Sequence, residues 1–177
     1  MSFVKGENIR LKEKIQELED KLLNLVGQIT IFSSGMVSSG KQHELNNTIA
    51  NLLVKPKPGE EIKIVAPYIG DEYTTVLKAR AAEGVKIQIV LNDRNLWPKE
   101  FIKYYDILKT TPKIDLVNNP NVKYLLIWTE NEALYSSGPL DKNILMNTVL
   151  IGILIREKSK LNTLLEIYKE MLPSFLR

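Results

Sequence analysis

Residues 77–93 read Leu-Lys-Ala-Arg-Ala-Ala-Glu-Gly-Val-Lys-Ile-Gln-Ile-Val-Leu-Asn-Asp. The alanine-rich first half suits a helix, and Gly84 is placed to stop it, because glycine takes up the left-handed backbone of a helix C-terminus at little cost. Val85 to Leu91 is then a near-continuous apolar run, the pattern of a strand buried on both faces. A helix, a glycine stop and a buried strand make one unit of an α/β layer fold.

The flanking sequence continues the alternation. Upstream, the same helix starts at Asp71, a residue type suited to capping the first turn. Before it, Glu61 to Ala66 reads as a strand ending at Pro67, and Lys55-Pro56-Lys57-Pro58-Gly59 as a turn. Gln42 to Leu53 reads as a helix with Leu45, Ile49, Leu52 and Leu53 on one side. Ile29 to Phe32 is a short β-branched and aromatic strand, broken by Ser33-Ser34-Gly35. Downstream, the pattern predicts a helix from Pro98 to Leu108, then strands from Lys113 to Val117 and from Val122 to Thr129. Ala133 to Tyr135 would return as a hairpin. A strand from Val149 to Ile155 and an amphipathic helix from Lys158 to Leu172 close the chain, with Leu161, Leu164, Leu165 and Tyr168 inward. The expectation is a mixed, mostly parallel sheet flanked by helices, preceded by a separate helical segment: residues 1–28, then a domain over 29–177.

Composition bounds the chemistry. The 177 residues are 44% hydrophobic and 25% charged, enough for a real core. There is no cysteine, which excludes disulfides, cysteine zinc sites and thiol nucleophiles. A single histidine excludes any site that needs two within one chain. No apolar run reaches the roughly 18–20 residues of a membrane span, and no signal-peptide layout is present, so a cytoplasmic protein without membrane contact is expected. A net charge of +3 permits a nucleic-acid partner without arguing for one.

The first 28 residues carry a heptad. Leu11, Leu18 and Leu25 fall at d, Ile15 and Leu22 at a, and Asn8 at the preceding a. A 3.5-residue period makes a seam that supercoils with a partner helix, and one polar residue at a sets the register. In a parallel pair Glu7 would face Lys12, and Lys14 would face Glu19, both opposite in sign. Five basic and five acidic side chains balance in this segment, so it reads as a neutral zipper rather than a basic arm. The alternative is an amphipathic helix packed on its own domain, and Leu23 and Val26 widen the stripe in that direction.

The order of elements, and particular phrases within it, resemble a single module of the phospholipase D superfamily, over about residues 29–172. The phrases are Ile29-Thr30-Ile31-Phe32-Ser33-Ser34, Glu61-Ile62-Lys63-Ile64-Val65-Ala66-Pro67-Tyr68-Ile69, the 77–93 unit with Ala81-Ala82-Glu83-Gly84-Val85-Lys86-Ile87 at its centre, and Asn118-Asn119-Pro120-Asn121-Val122-Lys123 where the family's catalytic strand begins. The resemblance implies a covalent phosphodiester chemistry built on H-x-K-x4-D followed by Gly-Ser and Asn, in which the histidine attacks phosphorus and the lysine holds the phosphate. This chain departs from that set, and two registers are open. In one, Lys123 stands for the histidine, Leu125 for the lysine and Glu130 for the aspartate, with Ser137-Gly138 for Gly-Ser and Asp141 for Asn; the spacing to Ser137-Gly138 favours it. In the other, Asn121 stands for the histidine, Lys123 is kept and Trp128 stands for the aspartate. Both lack the nucleophile, and His43 lies on a different element. The resemblance thus implies the fold and argues against the activity. Members with one module per chain generally pair about a two-fold, which a parallel zipper suits.

Other candidates are weaker. Gly35-Met36-Val37-Ser38-Ser39-Gly40-Lys41-Gln42 matches a phosphate-binding G-x4-G-K without the hydroxyl that follows, so a helix-capping turn is the simpler reading; Gly40 and Lys41 remain candidates for holding a phosphate. Lys55, Lys57, Lys63, Lys78, Arg80, Lys86 and Arg94 are a solvated surface or a basic face, with Tyr68, Tyr73, Trp97, Tyr104 and Tyr105 as core, rim or stacking residues. Trp97 and Trp128 would line the former cleft by analogy with the family. No metal or cofactor is implied. The expected function is a catalytically inactive, coiled-coil homodimer that binds nucleic acid or another phosphate-bearing ligand through the vestigial cleft of Asn121, Lys123, Glu130, Ser137 and Asp141. The alternative is a regulatory or structural dimerisation module; a phosphodiesterase or a nucleotide-binding P-loop protein ranks below both.

Overall fold

The structure is a computed structural model and describes residues 9–18, 21–22, 28–34 and 43–177. Residues 9–18 and 21–22 are helical and exposed throughout. Leu11, Ile15, Leu18 and Leu22 are each more than half exposed, so the described part of the apolar stripe is not covered by its own domain. Asn8 and Leu25 of the heptad, and Gly40 and Lys41 of the glycine loop, lie outside the described residues.

Beyond the helical segment, the elements follow in the order β1 (Ile29–Ser33), α1 (Glu44–Val54), β2 (Glu61–Ala66), α2 (Asp71–Ala82), β3 (Lys86–Leu91), α3 (Ile102–Thr110), β4 (Ile114–Asn118), β5 (Tyr124–Trp128), β6 (Ala133–Ser137), α4 (Lys142–Asn147), β7 (Ile151–Ile155) and α5 (Lys158–Glu170). One seven-stranded sheet runs β1-β7-β6-β5-β2-β3-β4. The expected preponderance of parallel pairing is corrected here. Only β2–β3 and β3–β4 are parallel; the other four pairings are antiparallel. Connection length accounts for three of the six pairings. A parallel neighbour needs a long crossover, which α2 and α3 supply, whereas the tight turn between β5 and β6 permits only an antiparallel return.

The sheet is covered unequally. On one face, Ile62, Ile64, Ile87, Ile89, Leu125, Ile127, Leu134 and Leu154 pack under α1 to α4 in the larger core. On the other, Val65, Val90, Val117 and Leu126 meet Tyr168 and Leu172, on and just beyond α5. Strand alternation puts successive residues on opposite faces, so Leu125 and Leu126 belong to different cores.

Local details follow from residue type. Gly84 has φ +100°, Gly84 N–H donates to Ala81 O (3.1 Å) and Val85 N–H to Arg80 O (3.1 Å), a Schellman ending. At the other end, the expected capping role of Asp71 is corrected: Gly70 occupies the cap position, and Asp71 is the first helical residue, where its charge still suits the helix dipole. The helix expected from Pro98 begins as a 3-10 turn, Lys99–Phe101, that runs into α3, and another 3-10 turn, Arg94–Leu96, precedes Pro98. Buried Trp97, whose indole donates to Asn92 O (3.1 Å), holds the chain between those turns. The short α4 was not expected, because six residues carry too little periodicity to read.

A buried carboxylate fastens the turn end of the β5–β6 hairpin. Glu132 accepts from Lys55 (2.7 Å), beyond α1, and from Arg156 (2.7 Å), beyond β7. Burial pushes its carboxyl up, and the hydrogen bonds from Lys55 and Arg156 outweigh this and hold it below the ordinary 4.5. Glu132→Gln should cost about 1–3 kcal/mol in urea unfolding at neutral pH. Because the native carboxyl is the stronger acid, that stabilisation is full above pH 4.5 and fades as the pH falls through the lower native value; the gap between variant and parent should narrow in acid. Gly152 fills a second demand. A Cβ there would lie 2.6 Å from the Phe32 ring and 2.9 Å from Leu45. Gly152→Val should therefore lose about 1–3 kcal/mol, and less than that in a Phe32→Leu background.

Candidate functional site

In open α/β sheets ligands gather beyond the carboxyl ends of the parallel strands. Here that end comprises the residues after β2, β3 and β4, the entry to β5 and the exit of β6. The strand pairing places Tyr124 beside Ser137, and Gly70 N–H donates to Leu140 O (2.9 Å) while Leu140 N–H donates to Tyr68 O (3.1 Å). The fold thus brings Asn121, Lys123, Ser137 and Asp141 to one end.

Glu130 is not with them. It sits in the turn that joins β5 to β6, at the opposite end, where Thr129 N–H donates to Glu132 O (2.8 Å). Seven residues of near-extended chain separate it from Lys123, about 20 Å. Trp128 is at that end too, with its indole on Leu161 O (3.1 Å) and the Lys63 ammonium over its ring at 6.0 Å. The expectation that Trp128 lines the cleft is corrected accordingly. Leu125, the lysine position of the first register, is wholly buried.

The polar groups at the cleft end are committed to structure. Asp141 is 6% exposed and caps α4, its Oδ1 accepting from Ile144 N–H (3.0 Å). Its other oxygen presses on Gly70, where a Cβ would lie only 2.1 Å away. Asn119 Oδ1 accepts from Asn121 N–H (3.0 Å), and Asn119 N–H donates to Leu91 O (2.8 Å). With its amide oriented to satisfy its neighbours, an assignment made from the network, Asn92 donates to Asn119 O (3.2 Å) and Val122 O (3.2 Å). Tyr105 donates to Asn118 Oδ1 (2.9 Å). These bonds clamp the segment entering β5 and leave the exposed side chains of Asn121 and Lys123 facing water. Lys123 has no ion pair among the described residues.

The surrounding charge is balanced rather than basic. Arg94 makes a two-point contact with Asp106, at 2.7 Å twice, and the hydrogen bond lowers the Asp106 carboxyl. Lys142 pairs with Glu72 at 2.6 Å. Of the basic set singled out from the sequence, Lys55, Lys63, Arg80 and Arg94 are paired with Glu132, Glu61, Glu83 and Asp106. The aromatic set is mostly core. Tyr73 donates to Asn46 Oδ1 (2.7 Å), and burial pushes its phenol well up. Trp97 meets Tyr105 edge-on at 5.3 Å, and Tyr68 leans on Phe101 at 4.8 Å. His43 precedes α1, with φ 62°; its Nδ1 is buried without a partner among the described residues. It leads into the helix over β1, three strands from β5 in the sheet order.

Comparison with known proteins places this geometry in a class. No family model and no curated protein sequence matches the chain. Solved structures do. NucT from Helicobacter pylori superposes with a TM-score of 0.64 at 15% identity, covering 81% of this chain and 94% of that one. Nuc from Salmonella typhimurium, a phospholipase D family member, gives 0.65 at 14% identity over 81% and 92%. TrmBL2, an archaeal chromatin protein, gives 0.53 at 17% identity, covering 96% of this chain and 66% of that one. The fold is that of the phospholipase D superfamily, as the sequence resemblance implied. No helix among the described residues is long and apolar enough to cross a membrane.

The capping role of Asp141 could have been read from the sequence, since an Asp three residues before an Ile-Leu pair is a helix-start signal; the family motif claimed the same residue. Asp141→Ala should cost about 1 kcal/mol of stability, measured by urea unfolding, and Asp141→Ser should recover most of it.

Proposed function

We propose that this chain is a non-catalytic phospholipase D-like module that works as a homodimer, joined through its N-terminal helix, in a regulatory or assembly role. The observation that carries this is the cleft end itself. The side chains it presents in place of the family's nucleophile are Asn121 and Lys123, on a segment clamped by neutral asparagines. At neutral pH a lysine is protonated and an amide is a poor nucleophile; neither attacks phosphorus and then passes on a proton as an imidazole does. The only histidine is held on another element. The exposed heptad leucines and isoleucine supply an unpartnered seam of the kind that pairs helices.

A second reading, direct binding of nucleic acid or another phosphate ligand, draws on two observations. Lys123 is exposed and unpaired among the described residues, and the likeness to a chromatin protein described as binding DNA extends over 96% of this chain, which takes in most of the helical segment as well as the domain. The ion-paired state of Arg94 and Lys142 weighs against a strong phosphate clamp in the cleft.

Hydrolysis of bis(p-nitrophenyl) phosphate and nicking of plasmid DNA should stay at the buffer rate. Turnover that Lys123→Ala abolishes would overturn the non-catalytic reading. Light scattering on the full chain should give twice the chain mass, and Leu18→Glu should reduce it to one. Anisotropy with a labelled 20-base-pair duplex separates the two readings: affinity that falls steeply with salt, with a smaller slope in Lys123→Ala, would favour direct binding.

A further inference from the structure

The sheet ends on a strand with a free edge. β4 is the last strand, paired with β3 alone. Ile87 N–H donates to Lys113 O (3.1 Å), and Asn119 N–H donates to Leu91 O (2.8 Å). These two bonds fix the phase of the parallel ladder, because backbone groups alternate in direction along a strand. The N–H and C=O groups of Asp115 and Val117 point to β3. Those of Leu116 and Asn118 point out of the sheet and have no backbone partner among the described residues. A groove of about 430 Å³ follows this edge. Tyr105 and Lys109 of α3 line it on one face of the sheet, and Asp115, Val117 and Leu176 on the other. Arg177 ties down the turn that carries Leu176, donating to Leu172 O (3.1 Å) and Glu170 O (3.2 Å).

We propose that this edge takes an extended segment of another protein, which adds to the sheet beside β4 and alternates acidic with apolar side chains. The backbone selects an extended occupant: donors and acceptors at strand spacing are matched in full by another strand. The charges select its side chains, which would alternate between the two faces of the sheet. On the α3 face they meet Lys109, which is exposed and has no ion pair among the described residues; its neighbour Asp106 is taken by Arg94. Lys103 and Lys113 are exposed on the same flank, also without an ion pair among the described residues. That side calls for carboxylates. On the α5 face, Asp115 repels an acidic residue, and Val117 and Leu176 offer apolar contact. Phe175, 82% exposed, extends that surface. A second copy of β4 supplies the wrong pattern. In an antiparallel pair its Asp115 would share a face with this one, and its Ile114 and Leu116 would lie on the face of Lys109. The proposal stands whether or not the chain pairs through its N-terminal helix.

Amide hydrogen exchange on the full chain reads the edge residue by residue. In the free protein, Leu116 N–H should exchange fast and Val117 N–H slowly. A peptide of about eight residues that alternates valine and glutamate should, at saturation, slow Leu116 about tenfold or more and leave Val117 unchanged. In fluorescence anisotropy this peptide should bind with a dissociation constant of about 100 µM, and a valine–lysine peptide about tenfold more weakly. Lys109→Glu should reverse that preference. Leu116→Pro should abolish binding with unchanged circular dichroism, since the β3–β4 ladder does not use that N–H and an edge tolerates proline. If that variant does not fold, N-methylation of the peptide makes the same test: methyl groups on one alternate set of residues should abolish binding, and on the other set spare it. No binding at about 1 mM, or equal affinity for the two peptides, would overturn the proposal. So would a Leu116 N–H already protected in the free protein. Protection in a dimer would give the edge to a second copy, and protection in a monomer to the chain's own segment.

Discussion

The fold hinges on β5. It is the strand at which the parallel trio β2-β3-β4 meets the antiparallel quartet, pairing β2 on one side and β6 on the other. It is buried on both faces: Leu125 and Ile127 belong to the core under α1 to α4, and Leu126 to the core under α5. A strand in that position has no face to give to water, so its interior must be apolar. Here its interior is given over to packing, and the polar residues that remain lie before it, at Asn118 to Lys123.

That division explains the site. Asn92, Asn118, Asn119 and Asp141 spend their hydrogen bonds on the backbone that enters β5, on the indole-bearing loop after β3, and on the start of α4. A buried polar group left unmatched costs more than a matched one gains, so these residues are held where they are by the fold. Two of the cations nearby, Arg94 and Lys142, are paired with Asp106 and Glu72. Among the described residues at this end, Lys123 and Lys99 are exposed cations without an ion pair.

The sequence by itself determined most of the local structure. The 77–93 stretch, the strand from Glu61 to Ala66 and the closing helix were legible because each combines a clear apolar period with a glycine or proline stop. The resemblance to phospholipase D modules added the overall layout. Strand direction was not legible, because an apolar run such as Tyr124 to Trp128 reads the same in a parallel and an antiparallel pairing; the short turn at Thr129–Glu132 decided it for β5 and β6. Site membership also needed the tertiary structure. Spacing along the chain grouped Glu130 with Lys123, but a strand carries its two ends apart, and a hairpin put Glu130 at the far side of the sheet. Asp141 looked like a site residue and proved to be a helix cap, because only the fold shows which backbone N–H its carboxylate meets. The pairing of Arg94, Lys142 and Lys55 with carboxylates on other elements lies equally beyond a linear reading, since those contacts exist only once distant segments are brought together.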